Sequence, residues 1–446
     1  MTPPLASTKV FHRHTLGSMP IAVAGDGCYL IDQNGKRYLD GSSGAAVSCL
    51  GHSNLEIIDT IAHQARQMAF AHTSFFTNEP MEQLAEFLTL NAPPGIDAVY
   101  FLSGGSEAVE AALKLARQYF VETGRNQKHR VIARLQSYHG NTIGALSAGG
   151  NLWRRAMFDP ILVPTSHISA CYEYRGQKSD ETPEAYGLRV ANELETEILH
   201  VGPETVAAFI AEPVVGATMG CVTAAPGYFK RIREICDQYD VLLILDEVMC
   251  GMGRVGSLFA CEQEGIIPDM ITIAKGLGAG YQPIGALLVS DSIFSAIQTG
   301  TGFFQHGHTY MGHALACATA LKVQEIIERD QLISQVRTMG DILSKRLHAE
   351  FGNHSNVGDI RGRGLFRGLE LVQDRATKTP FDPTLKINVK IKKAAMDAGL
   401  MCYPMGGTLD GKHGDHIMIS PPFIITETQI DELVSKLAQA IHSVIQ

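Results

Sequence analysis

The sequence predicts an α/β fold: a mostly parallel sheet with helices on both faces, plus a smaller α+β domain formed by both termini. Three observations predict it. The runs VAAFIAE (206–212), VLLILDE (241–247) and MITIAK (270–275) are short, apolar and almost unbroken, as strands covered on both faces are. Helical patterns, EAVEAALKLARQYF (107–120) and GYFKRIREICDQY (227–239), alternate with such runs, which favours a doubly wound sheet. The two ends lack this alternation and carry hairpin and amphipathic-helix signals instead.

Taken in order, residues 20–40 hold two alternating segments around Asn34-Gly35, the strongest short-range hairpin signal. AVYFLSGG (98–105) reads as a strand running into the 107–120 helix. IGALLVS (284–290) is a further strand, and the glycine-rich loop before it is too short for a helical crossover, so it is expected antiparallel. A helix at 384–399, a strand DHIMISPPFII and a final helix follow. The last helix opens on Thr426-Glu-Thr-Gln429, a capping-box pattern, and Ile430, Leu433, Val434, Leu437 and Ile441 form one apolar stripe, read as packing. The expected division is 1–61 and 331–446 as the two parts of a small domain around a large domain, 62–330.

Composition narrows the function. With 446 residues, 45% hydrophobic and 19% charged, the chain can bury a large core, and disorder is excluded. Its 37 Lys+Arg against 46 Asp+Glu leave a charge of -9, which argues against a general nucleic-acid binder. The nine cysteines (28, 49, 171, 221, 236, 250, 261, 317, 402) are scattered, odd in number and form no CxxC pair. That pattern suits reduced thiols in a cytoplasmic enzyme better than a disulfide frame or a zinc site, and no metal is expected. The start, MTPPLASTKVFHRH, has no apolar core for a secretory leader. Residues 292–321 lack Asp, Glu, Lys and Arg, yet three histidines, Gln305 and several threonines and glycines make a bilayer helix a poor reading, and no membrane partner is expected.

In an open parallel sheet, ligands bind outside the carboxyl ends of the strands. Those ends carry Ser103-Gly104-Gly105-Ser106, Glu212, Asp246 and Lys275. The glycine turn before a helix is suited to an anion such as phosphate, or is an ordinary turn with Ser106 as a cap. Asp246 ends five large aliphatic residues, where a carboxylate needs a cation: a metal, a protonated cofactor ring nitrogen, or a neighbouring Arg. A lysine desolvated at a strand end, as Lys275 would be, becomes an amine nucleophile, although most strand-end lysines point into water. Each feature alone is weak. Together they match the parts needed to hold pyridoxal phosphate.

AVYFLSGGSEAVEAALKLAR, SYHGNT, FIAEPVVGA, LLILDEVMCGMGR, ITIAKGLGAGYQPIGALLV and HGHTYMGHALACA resemble, in order, the motif series of the class III aminotransferases, pyridoxal-phosphate enzymes of fold type I. The resemblance runs from about Gly25 to the C-terminus. It implies that Lys275 is the Schiff-base lysine, Asp246 the partner of the ring nitrogen, and Gly105 and Ser106 phosphate ligands. It further implies Tyr138 and Val248 on the two ring faces and Glu212 beside Asp246. Thr309 would reach the phosphate of a neighbouring subunit, in a homodimer with shared active sites. His139 is expected to be a hydrogen-bonded loop histidine and not a general base.

The expected reaction is ping-pong transamination from an ω-amino acid or amine to an oxo acid, pyruvate. A racemase, epimerase or aminomutase on the same scaffold is the alternative. A Rossmann oxidoreductase is a distant third, because Ser103-Gly-Gly-Ser-Glu lacks the G-x-G-x-x-G spacing. Many ω-transaminases place a mobile Arg three residues before the Gly of a Gly-Asp-His stretch. Here that place is Gly411, followed by Lys412, so Lys412 or an Arg of Arg361-Gly-Arg363 is a candidate to meet a substrate carboxylate. Small residues at Ser42–Ala46, where relatives often have a bulky aromatic, predict a roomier pocket.

Overall fold

The computed structural model of the chain describes residues 8–15 and 19–445, so the first seven residues of the start read above lie outside it. Seven strands form the central sheet, in the spatial order Ile96–Leu102, Gly285–Ser290, Met270–Ile273, Leu242–Asp246, Val206–Ala211, Arg130–Arg134, Ser166–Ile168. Gly285–Ser290 is antiparallel to both of its neighbours, and the other pairings are parallel. The short glycine loop before it could only return the chain this way.

The unbroken apolar runs follow from burial on both sides. Phe209, Leu243, Leu245, Ile271 and Ile273 enter one core, with Ile232 and Ile235 of the helix Tyr228–Gln238. Their alternates Ala208, Ile210, Leu242, Ile244 and Met270 enter the opposite core, against Val109, Ala112 and Ala116 of the helix Gly105–Glu122. A period-2 strand with a helix on each face has no solvent side for polar residues. This is the fold type I arrangement expected from the sequence.

A separate core joins the two ends of the chain. Leu39, Leu50 and Ile57 meet Leu369, Ile417, Leu433 and Leu437 there, and Leu400–Met401 pairs in parallel with Arg37–Asp40. The helix Ala314–Arg329 serves both cores, giving Ala316 and Ala320 to the first and Val323 and Ile327 to the second. The final helix, Glu427–His442, has the expected capping box and buries the whole predicted stripe.

Two details differ from the sequence reading. Residues 20–40 make three strands, Ala22–Asp26, Tyr29–Asp32 and Arg37–Asp40, because Gly27, at φ 54°, turns the chain inside the first apolar segment. The C-terminal helix is shorter, Ile387–Asp397, since Asp382 first caps a tight turn at Pro383–Leu385. Among the described residues, all nine cysteines are buried and unbonded, and no helix is long and apolar enough to cross a membrane.

Candidate active site

Five of the segments that leave the sheet at its carboxyl edge enclose one cavity, lined by Gly105, Ser106, Tyr138, Glu212, Asp246, Val248 and Lys275. Every predicted site residue except Thr309 is therefore brought together by one sheet edge. The parallel register explains it: neighbouring strands that run the same way end side by side, so residues far apart in sequence share one rim.

Asp246 is buried and hydrogen-bonded through both oxygens. Its Oδ1 accepts from the Val248 backbone N–H at 3.1 Å and from Thr272 Oγ1 at 3.3 Å, while Oδ2 lies 2.7 Å from His139 Nδ1. Within the protein, the partner of the buried carboxylate is the loop histidine and not an arginine. Spacing could not have revealed this pair, since 107 residues separate the two. Thr272 is the second omission; the lone polar residue in an apolar strand was its signal.

Lys275 follows Met270–Ile273 with a left-handed backbone, φ 46°. Burial pushes its ammonium down to about 8, against the opposing attraction of Asp246 and Glu212. Glu212, next to Val206–Ala211, moves the other way, up to about 7, again mainly through burial, with the Asp246 charge adding to the shift. Among the described residues, Glu212 Oε2 and His139 Nε2 are buried without a hydrogen-bond partner. Unpaired buried polar atoms facing one cavity are expected where a bound group completes the network.

The glycine turn is equally specific. A Cβ on Gly105 would sit 2.7 Å from Val248 Cγ1, so only glycine lets the helix start close on Val248. Glu107 Oε2 accepts from the Ser103 N–H at 2.8 Å, and Ser106 Oγ accepts from the Asn141 N–H at 3.1 Å, tying the turn to the Tyr138 loop. The rim therefore offers a helix start for an anion, a carboxylate for a ring N–H, an amine, and a flat space between Tyr138 and Val248. That set fits pyridoxal phosphate.

Thr309 is exposed and lies outside this cavity, in the segment that packs on Ile96–Leu102 through the Tyr100 hydroxyl and the His306 carbonyl. The candidate carboxylate binders also stand elsewhere. Arg361 is held by Glu370, Asp359 and the carbonyls of Met219 and Gly220, and Arg363 by Glu264. Lys412 is exposed in a turn closed by Asp410, whose Oδ1 accepts from the Lys412 and His413 N–H groups. Ala46, from the small-residue stretch, packs with Val214 on the wall of the cavity.

Comparison with known proteins agrees with this geometry. Residues 12–441 match the family model described as aminotransferase class-III. An uncharacterized aminotransferase of Schizosaccharomyces pombe is 47% identical over 427 residues, covering 96% of this chain and 93% of that protein. The diaminobutyrate–2-oxoglutarate transaminase of Halomonas elongata is 38% identical, covering 95% of this chain and 90% of that one. Among solved structures, an (S)-enantioselective omega-transaminase from Thermomicrobium roseum superposes with a TM-score of 0.91 at 35% identity, covering 98% of this chain and 96% of that one. The chain belongs to the class III aminotransferases, enzymes that work with pyridoxal 5′-phosphate.

Proposed function

We propose that this aminotransferase moves an amino group from an ω-amino acid or amine to pyruvate in two half-reactions on one site. The observation that carries the reading is the meeting of Lys275, Asp246 and the Ser103–Ser106 turn in a single cavity. Pyridoxal phosphate, when bound, supplies an electron sink for the donor's α-carbon electrons. The chain supplies the rest. Gly105, Ser106 and the helix start hold the phosphate, and Tyr138 and Val248 bracket the ring. Asp246, oriented by His139 and Thr272, keeps a proton on the ring nitrogen. Lys275 Nζ would be the amine that holds the cofactor and, as a free base, would take the proton from the donor carbon. Its lowered pKa keeps a useful fraction neutral near pH 8.

A single-carboxylate acceptor is favoured because Gly411 stands where the mobile Arg would, and Lys412 beside it is exposed in a turn closed by Asp410. The working unit is proposed to be a cytoplasmic homodimer, with Thr309 of each subunit at the phosphate of the other. Residues 62–330 form its cofactor domain, and 1–61 with 331–446 form the small domain. The two apolar cores support that division.

An amino-donor panel run against pyruvate and 2-oxoglutarate in parallel tests the reading. Transfer from ω-amino acids or amines, faster to pyruvate, is expected. Turnover that needs no oxo acid would instead indicate a racemase or aminomutase, and a preference for 2-oxoglutarate would remove the single-carboxylate reading.

A further inference from the structure

Lys275 stands on a strained turn. Its φ of 46° lies in the left-handed region, which a residue with a side chain keeps only where its surroundings hold it there. The turn Lys275–Leu277 is closed locally by two bonds. The Leu277 N–H donates to the Ala274 carbonyl at 2.9 Å, and the Gly278 N–H to the Lys275 carbonyl at 3.2 Å. The next two carbonyls, of Gly276 and Leu277, are taken by one side chain from another element.

That side chain is Gln324, on the helix Ala314–Arg329. Its Nε2 donates to the Gly276 carbonyl at 3.2 Å and to the Leu277 carbonyl at 3.0 Å. An amide nitrogen carries two protons, so both go to the two residues that follow Lys275. Gln324 is fully buried, and its Oε1 has no hydrogen-bond partner among the described residues. An apolar side chain of similar volume would fill this place without burying an unpaired oxygen, so packing alone does not account for a glutamine here. Cys49 adds a weaker donor from the N-terminal part of the chain, its thiol lying 3.6 Å from the same Gly276 carbonyl. The helix is a firm support, because Val323, Ile326 and Ile327 beside Gln324 are buried in the core that joins the two ends of the chain. Among the described residues no hydrogen bond directs Lys275 Nζ, so the backbone beneath it sets where the amine points.

We infer that Gln324 is a positioning residue for the reaction: by holding the Gly276 and Leu277 carbonyls it keeps the Lys275 backbone left-handed and the amine aimed into the cavity. The inference rests on the reading of Lys275 as the amine that binds pyridoxal phosphate. Its test is the rate at which the full chain, stripped of cofactor, captures added pyridoxal phosphate, followed by absorbance. In that step Nζ bonds to the cofactor's aldehyde carbon and water leaves; borohydride then fixes the bond, and peptide mass locates it. Q324M keeps the volume and removes both donors. Q324E, whose buried carboxyl keeps one donor when protonated, is the milder change. N356L is the control, because Asn356 is a second buried amide that donates to two successive carbonyls, those of Val372 and Gln373, at 3.0 and 3.1 Å in the other domain.

In Q324M the limiting rate of capture at saturating cofactor should fall about 10- to 100-fold, the effect of a misplaced reacting group. The half-saturating cofactor concentration should move less than about twofold, because the phosphate turn is untouched. Q324E should fall between, and N356L should lower the thermal midpoint while leaving the rate within about twofold of wild type. An equal loss of rate in N356L, or an unchanged rate in Q324M, overturns the role of Gln324 and leaves Lys275 standing. Should Q324M not fold, Q324E at the wild-type rate overturns it equally. Wild-type protein in which borohydride fixes no cofactor on Lys275 would instead overturn the reading of Lys275, and that of Gln324 with it.

Discussion

Two neighbouring regions of the molecule are built by opposite means. In the sheet-edge wall Asp246 and Glu212 are buried and Lys275 is half-buried, and each side chain leaves the end of a strand packed on both faces. The outer layer beside the Tyr138 loop, with Arg154 and the 407–414 segment, rests on a one-turn helix beside Trp153, which is 63% exposed, and is held by amide and carbonyl hydrogen bonds. The first wall cannot shift without opening the core. The second can be rebuilt without touching it. The geometry of the bond-making atoms is thus fixed by the fold, and the choice of substrate is left to loops.

The sharpest way to break that contrast is at Lys275. Lys275→Ala should lower turnover about 10³-fold or more, because both the covalent anchor and the proton carrier are lost. Folding should survive, and the thermal midpoint of the cofactor-free protein should not fall, because a buried amine is removed. Normal turnover with bound cofactor would show that the sheet-edge wall does not perform the chemistry.

Next in size is the phosphate turn. Gly105→Ala places a methyl 2.7 Å from Val248 Cγ1 and should weaken cofactor binding about tenfold or more, read from spectral titration. Adding Val248→Ala removes the atoms that clash. The double variant should then recover phosphate-end affinity that Val248→Ala alone does not gain. A double variant no better than Gly105→Ala would mean that the glycine serves some other need.

The two regions also differ in how much of them the sequence discloses. Strand ends were readable because burial on both faces forbids polar residues until the strand stops, so Asp246, Glu212 and Lys275 stand out against apolar runs. The hairpin at Asn34-Gly35 was readable for a similar local reason, whereas the turn at Gly27 hid inside an apolar stretch. The His139–Asp246 contact was invisible because register between distant strands, and not any local pattern, creates it. Arg154 sits in LWRR, four helical residues with no buried face and hence no periodicity to read. What the core dictates can be read from one sequence; what loops assemble across space cannot.

The smallest expected effect separates the two carboxylates of the inner wall. Glu212 carries a pKa raised to about 7, so the folded protein holds a proton there that the unfolded chain releases near 4.5. Stability must therefore fall as pH rises from about 4.5 through 7, and the loss is complete above that range. Glu212→Gln removes the titration. In the cofactor-free protein the variant should match the wild type near pH 4.5 and exceed it by about 2–3 kcal/mol at pH 8, measured by denaturant midpoint. His139→Ala should widen the gap, since the imidazole lowers the Glu212 pKa in the wild type. A Glu212→Gln advantage that does not vary with pH would mean that Glu212 is already ionised at low pH, and that the inner wall holds two charges where burial argues for one.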